Sequence, residues 1–212
     1  MKNYAAWMML LSLATLWGCS NTVLVTVPPR MDLRNYGTLG IVEFSSNSDP
    51  AINNFATQRF QEHVQGAYPG MPILELGTRA AVLEAVDATR FDAEAMTKIG
   101  KKYGVSAVFL GDIVYSEPKT DVRLTDIVKL EGGVRTEVRG DVSGKLMETK
   151  SGASVWSSSA WAKRQIGRVS VSAREGVSAD MRTSNPRQDM VPALIFHLTE
   201  DFRPTSVRQR KE

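Results

Sequence analysis

The stretch that most constrains this chain is an apolar leader that ends at its only cysteine. Residues 4–18 are almost unbroken apolar sequence behind the positive charge of Lys2, and Cys19 follows directly. A helix that spans a membrane needs ~20 apolar residues, whereas the core of a signal peptide needs about 7–15. The length of the leader therefore predicts an export signal that is removed from the mature protein.

The end of the leader resembles the signal of bacterial lipoproteins, in which an aliphatic residue and two small residues precede a cysteine. Leu16 and Gly18 match that pattern, and Trp17 departs from it by its size. The resemblance implies cleavage before Cys19 and attachment of acyl chains such as palmitate to its sulfur and its new amine. In that family Ser20 implies the outer membrane, with the protein facing the periplasm.

Two alternatives to lipidation stay open at this stage. The leader could be an ordinary secretory signal followed by a chance cysteine, or it could be an uncleaved anchor. A lone thiol in an exported protein would be unpaired and reactive, and lipidation of Cys19 removes that liability.

Composition narrows the function classes. The formal charge of +3 over 212 residues is close to neutral, so bulk charge gives no sign of nucleic-acid binding. A single cysteine excludes a disulfide framework and a thiolate metal site. The two histidines, His63 and His197, are far apart in sequence and lack the spacing of a metal site. We therefore expect no cofactor, no metal and no catalytic residues.

The first half of the chain alternates short apolar runs with helical patterns. Asp49, Thr78 and Asp92 are typical N-cap residues, and Gly104 is a typical left-handed C-cap. Strands separated by helices indicate parallel pairing with helical cover. The predicted elements are strands at 38–44 and 72–76, helices after the three caps, and a buried central strand at 105–115.

The second half predicts an antiparallel meander followed by a C-terminal helix. Apolar and polar residues alternate strictly over 134–146, which is typical of a strand with one buried face. A tight turn at 150–152 leads into a returning strand at 153–171. The remaining predictions are a strand at 122–130, turns at 118–121 and 131–133, an irregular segment at 172–189, a helix at 190–202 and a loose charged tail at 205–212.

These patterns predict an α/β fold with α+β character: a mixed sheet with a long antiparallel hairpin, helices packed on the sheet and a C-terminal helix. We expect a signal peptide at 1–18, a lipidated tether at 19–36, one folded domain at 37–204 and the tail at 205–212. The tether carries Pro28 and Pro29, which favour extended chain. It can also supply an edge strand in an oligomer.

Several stretches resemble the outer-membrane lipoprotein of the curli-secretion family and its relatives, which include the N-terminal domain of the Tol-system propeller protein. The opening strand, the run that leads into the central strand, and the turn of the long hairpin carry the resemblance, as does the segment before the last helix. They are residues 37–44, 103–113, 146–166 and 183–186. The resemblance implies a non-catalytic envelope component in assembly, secretion or envelope maintenance, with a protein partner and homo-oligomers.

One alternative is a subunit of a curli-type secretion pore. The pore protein inserts two long hairpins into the membrane, and a strand that crosses a membrane needs ~9–11 residues with alternate apolar positions. Residues 122–146 are long enough for one hairpin. The other would fall at 168–182, where Arg168, Asp180 and Arg182 interrupt an apolar band. We therefore favour a periplasmic module over a pore, and a periplasmic enzyme is the third reading.

Few residues are candidates for chemistry or recognition. Glu43 and Asp112 lie near predicted strand ends, where a carboxylate either caps a loop or catalyses. Trp156 and Trp161 are five positions apart on one strand, so they lie on opposite faces. We expect one to be core and the other to mark a surface for a protein partner.

Overall fold

The computed structural model describes residues 22–126, 131–172, 176–181 and 185–210. Two compact units result: a body, residues 30–203, and a terminal unit that joins the residues before Arg30 to those after Arg203. The leader and Cys19 lie outside the described residues, so the predictions of cleavage and lipidation remain predictions.

The described elements follow the predicted alternation of strands and helices. In chain order they are β1 (Thr22–Val27), β2 (Leu39–Val42), β3 (Ser45–Ser46), α1 (Pro50–Ala67), β4 (Ile73–Gly77), α2 (Arg79–Ala85), α3 (Ala93–Tyr103), β5 (Ala107–Tyr115), β6 (Lys119–Asp126), β7 (Glu131–Glu148), β8 (Ser154–Ser172), β9 (Gly176–Met181), α4 (Pro186–Leu198) and β10 (Thr205–Arg210). Short 3₁₀ turns cover Leu33–Asn35 and Glu200–Phe202.

Eight of these strands form the sheet of the body, and its mixed character confirms the predicted fold class. The main order is β4-β2-β5-β7-β8-β9, with β3 added beside β5 and β6 beside β7. Strand β2 is parallel to both β4 and β5, because helical crossovers join them. Strands β5, β7, β8 and β9 are antiparallel neighbours, as expected for a meander.

The predicted caps fix where the helices begin. The side chains of Asp49, Thr78 and Asp92 accept hydrogen bonds from backbone N–H groups in the first turns of α1, α2 and α3. Gly104 ends α3 with φ +68°, a left-handed conformation that glycine adopts without steric cost.

One face of the sheet is closed by α1 and α4. Aromatic rings dominate this core: Phe109 on β5 lies between Phe60 of α1 and Phe202, with centroids 4.9 and 5.8 Å away. Gly111 permits the closest approach, since a Cβ there would lie 2.2 Å from the ring of Phe44. The aliphatic part of the core comes mainly from Ile52, Val64, Ile113, Val142, Leu146, Val191, Leu194, Ile195 and Leu198, all almost fully buried.

The other face is covered only in part. Helices α2 and α3 pack Val82, Met96 and Ile99 over β2, β4 and the first residues of β5. The cover ends near Leu110, which is only partly buried. Beyond that point the strands β5, β7 and β8 present a continuous surface that no helix of the described residues covers.

Two predictions for the β6–β7 hairpin were wrong. Lys119, placed in a turn at 118–121, begins β6, and residues 131–133, also predicted as a turn, belong to β7. Gly132 and Gly133 pair with Val171 and Ser170 through the backbone, so the ladder forms there in spite of two glycines. The predicted strand at 122–130 ends at Asp126, and residues 127–130 lie outside the described residues.

Two segments predicted to lack regular structure have it. Within 172–189, β9 pairs with β8, and α4 begins at Pro186 because Asn185 caps it through a hydrogen bond from Gln188 N–H. Asn-Pro before an apolar helical pattern is a helix start that the sequence reading missed. The segment 205–212, predicted as a loose tail, contains β10.

The terminal unit is a two-stranded antiparallel ribbon. Thr22 of β1 pairs with Arg210 of β10, and Val27 pairs with Thr205. Its apolar side chains are largely open to solvent: Leu24 is 64% and Val207 46% exposed. The tether thus contains a strand that pairs with β10 of the same chain. An edge strand in an oligomer remains a prediction.

Candidate functional site

The uncovered part of the sheet is the best candidate for a functional surface, and we call it the open face. Alternate residues from the middle of β5, β7 and β8 lie on it, in rows set by the strand register. The rows are Leu110–Lys145–Ser157, Asp112–Ser143–Ser159 and Val114–Asp141–Trp161, with Arg139 and Lys163 beyond them.

The two candidate tryptophans lie on opposite faces, as the five-residue spacing predicts. Trp156 is 8% exposed on the covered face, where its ring lies 4.7 Å from that of Phe202 and its Nε1 donates to Asp201. Trp161 is 57% exposed on the open face. Of the two, only Trp161 is placed to contact a partner.

Two cations flank the ring of Trp161. The guanidinium of Arg139 lies 4.9 Å and the ammonium of Lys163 5.9 Å from its centroid. A hydrogen bond from Arg139 Nε to Asp141 at 2.9 Å fixes the guanidinium. That bond raises the pKa of Arg139 and lowers the pKa of Asp141 below its usual value. The indole therefore lies beside the Arg139–Asp141 ion pair and a second cation, with more than half of its surface free.

Asp112, the carboxylate considered for catalysis, has a structural partner set. Arg79 Nη2 of α2 donates to it at 2.8 Å, and the hydroxyl of Ser45 donates to the same oxygen. Nε of Arg79 is buried and has no acceptor among the described residues. Asp112 thus joins β3 and α2 to the central strand.

A groove of about 340 Å³ runs along the edge of the open face, between it and the segment that joins α2 to α3. We call it the basic groove. Arg79 and Arg90 line one side, Lys145 lines the other, and Phe91, Leu110 and Met147 are among its apolar residues. Sequence reasoning missed these cations, because Arg79 and Arg90 are distant in sequence from Lys145 and no spacing connects them.

The remaining candidates lie elsewhere. His63 is on α1, where burial and the neighbouring charge of Arg203 lower its pKa. His197 is on α4 and its Nδ1 lies 2.7 Å from Glu200. Glu43 follows the end of β2 and is partly exposed. The signal residues Leu16, Trp17 and Gly18, and the acceptor Cys19, lie outside the described residues.

The groups on the open face suit noncovalent recognition. An exposed indole, paired charges and serine hydroxyls offer stacking, ion pairing and hydrogen bonding. Among the described residues, no group of three or more His, Cys, Asp or Glu is placed to hold a metal ion. No helix in the described part of the chain is long and apolar enough to cross a membrane.

Solved structures with similar folds come from several bacteria. The PelC dodecamer from Paraburkholderia phytofirmans is 12% identical (TM-score 0.40; 85% of this chain, 96% of that chain). Lipoprotein GNA1162 from Neisseria meningitidis is 14% identical (0.38; 77% and 98%), and a minor lipoprotein from Acinetobacter baumannii is 9% identical (0.36; 78% and 91%). No family model and no curated protein matches the sequence. A function for the chain is therefore inferred from the chemistry of its own residues.

Proposed function

We propose that this chain is a non-catalytic lipoprotein of the bacterial outer membrane that faces the periplasm. It works in assembly, secretion or envelope maintenance by contacting other proteins, including further copies of itself. Lipid on Cys19 supplies the anchor, and the body supplies the contact surface.

The observation that carries the proposal is the exposure of Trp161 on an otherwise polar sheet face. Large aromatic side chains are enriched at the energetic centres of protein interfaces. Trp161 is 57% exposed, and Arg139 and Lys163 lie beside its ring. An exposed indole beside polar and charged groups suits a contact with a protein partner.

The anchor is tested with Cys19→Ala in the full chain. We expect loss of metabolically incorporated palmitate and release of the protein from the membrane fraction, while Asn21→Ala, which leaves the signal intact, changes neither. If the Cys19→Ala protein still incorporates palmitate, or stays fully membrane-bound after removal of its leader, the lipid-anchor proposal is wrong.

The contact surface is tested with Trp161→Ala. The mass of the detergent-extracted protein and its crosslinked complexes should fall, because the indole no longer fills its place in the interface. Leu74→Ala is the matched control, since Leu74 is also exposed, at 40%, but lies on the edge strand β4. Equal losses in the two variants would exclude the open face as the contact surface.

A second candidate function, a secretion-pore subunit, is favoured by the register of β6 to β9. Two of the charged residues that interrupt an apolar band in the sequence, Arg168 and Asp180, pair with each other, and the same register row continues through Arg135 to Asp121. The neighbouring row is Val122–Val134–Val169–Ala179. Adjacent rows lie on opposite faces of a sheet, so the apolar pair Val122–Val134 and the charged pair Asp121–Arg135 lie on opposite faces of β6 and β7.

The length of this region is also compatible with a membrane. The part of β7 that does not pair with β5 runs from Arg139 to Glu131. Its length is close to the ~9–11 residues of a strand that crosses a membrane. Val122 is 66% exposed in the row of apolar residues.

Conductance across planar bilayers distinguishes the two functions. A pore subunit forms detergent-resistant rings that conduct, and Val134→Asp abolishes conductance because it places a charge in the apolar row. Glu137→Asp, a substitution on the charged side of the same strand, leaves conductance unchanged. A protein that forms no conducting species at any concentration excludes the pore.

A further inference from the structure

The basic groove has an apolar floor between cationic sides. Phe91, Leu110 and Met147 line it and are only partly buried, so each keeps surface that an incoming side chain can cover. The guanidinium of Arg79 lies 5.8 Å from the ring centroid of Phe91, so these two side chains pack against each other on one side of the groove. A ligand for such a groove carries apolar side chains beside its polar groups.

The charges that line the groove are unbalanced. Arg79 is engaged by Asp112, and Arg90 is paired with Asp92 at 3.1 Å. Lys145 is exposed and makes no ion pair with any described residue. Asp112 and Asp92 thus offset Arg79 and Arg90, and Lys145 is the cation of the groove that has no ion partner among the described residues. The complementary ligand is negatively charged where it passes Lys145.

The groove is continuous with the surface around Trp161. Lys145 and Asp141 are four positions apart on β7, which is about 13 Å along the strand, and Asp141 pairs with Trp161. An extended peptide spans that distance with about four residues. One extended segment can therefore reach from Lys145 to the indole.

We propose that the basic groove and Trp161 together bind an extended, acidic segment of a protein partner. A carboxylate of the segment lies at Lys145 and Arg90, an apolar side chain covers Leu110 and Met147, and a second apolar side chain covers Trp161. The inference rests on the proposed function, a lipoprotein that works through protein contacts, and adds the chemistry of the partner.

The mixed signs of charge on the open face favour a peptide over a uniform polyanion. Asp112 and Asp141 lie between the cations at Lys145 and Arg139, in successive rows of the sheet. A phosphate backbone or an anionic lipid surface would meet these carboxylates as well as the cations. A peptide with apolar and neutral residues beside its acids avoids that repulsion.

Site-specific photo-crosslinking in cells tests the proposal with the full-length lipoprotein. A photoreactive phenylalanine analogue replaces Ser143, which lines the groove, and in a control protein it replaces Leu74 on β4. Crosslinked material is digested and sequenced. We expect the Ser143 position alone to capture a peptide that carries net negative charge and at least one apolar residue.

Charge variants decide whether the capture depends on the groove. Lys145→Glu should lower the yield of that peptide about fivefold or more, because it reverses the charge at this position. Lys145→Arg should keep the yield, because it keeps the positive charge. Thermal unfolding of both variants establishes that the fold is unchanged. Crosslinks to glycan, lipid or a second copy of this chain would overturn the proposal, and so would an unchanged yield with Lys145→Glu.

The same probe separates this inference from the proposed anchor. If the groove binds the acidic peptide, the probe at Ser143 still captures that peptide in a Cys19→Ala protein, whether or not the protein is attached to the membrane. Loss of the acidic peptide from the anchored protein refutes the inference while leaving the anchor intact.

Discussion

The two faces of one sheet differ in what covers them. On the covered face, α1 and α4 enclose Trp156 among Phe109 and Phe202, and its indole N–H reaches Asp201. On the open face, Trp161 of the same strand has Arg139 and Lys163 beside its ring and is mostly exposed. Burial of a tryptophan here depends on which helices reach it, and the strand itself imposes only the alternation.

The largest difference in stability between the two faces is expected at the two tryptophans. Trp156→Ala should lower the free energy of unfolding by about 3–5 kcal/mol, because it leaves a cavity in the aromatic core. Trp161→Ala should change it by less than about 0.5 kcal/mol, since the side chain is mostly solvated. Urea unfolding followed by circular dichroism measures both, and similar costs would contradict the assignment of the faces.

A glycine on the covered face gives a second difference in stability between the two faces. Gly111→Ala should lower the free energy of unfolding by about 1–3 kcal/mol, because its Cβ would lie 2.2 Å from the Phe44 ring and the ring must shift. Ser143→Ala on the open face, in the adjacent row of β7, should be nearly neutral. Urea unfolding of the two variants is the measurement, and a neutral Gly111→Ala would show that the core is loosely packed there.

Tyr115 adds a pH dependence to the covered face. Burial raises the pKa of Tyr115 to about 12, and its hydroxyl donates to the carbonyl of Arg187. The neutral phenol is favoured in the folded state, so the contribution of Tyr115 to stability is complete below the unfolded pKa of ~10 and is lost as the pH rises towards about 12.

Tyr115→Phe should therefore cost about 1 kcal/mol at neutral pH, because the hydrogen bond is lost. Its free energy of unfolding should also fall less steeply between pH 10 and pH 12 than that of the unsubstituted protein. Urea unfolding at several alkaline pH values tests this. Identical slopes for the two proteins would mean that Tyr115 ionises as it does in the unfolded chain.

The smallest effect is expected on the open face. Arg139→Ala should raise the pKa of Asp141 towards its ordinary value, because the hydrogen bond from the guanidinium is what lowers it. NMR titration of the Asp141 carboxyl measures the change, with Lys163→Ala as the control that leaves that hydrogen bond in place. A carboxyl pKa that does not move would show that the pair is absent in solution.

Local signals made much of the fold predictable. Asp49, Thr78, Asp92 and Gly104 determine helix ends through contacts within a few residues, so the sequence shows them directly. The strict alternation of β7 likewise reports a face buried on one side. Strands β9 and β10 were missed, because the backbone of a distant strand stabilises each of them.

The site was predictable only in part, for the same physical reason. The spacing of Trp156 and Trp161 required opposite faces, but which face is covered depends on the placement of α4 and Phe202, far along the chain. The basic groove forms where a loop after α2 meets β7, so Arg90 and Lys145 become neighbours only in the folded state.

The ribbon of β1 and β10 changes what the tether does mechanically. As a flexible coil, the six residues of β1 would fluctuate about a mean separation of ~14 Å, but in the paired strand they form a strut of about 20 Å. The antiparallel pairing also places Arg210 beside Thr22, so a fluorophore attached after Arg210 would report the surroundings of the segment that begins the ribbon.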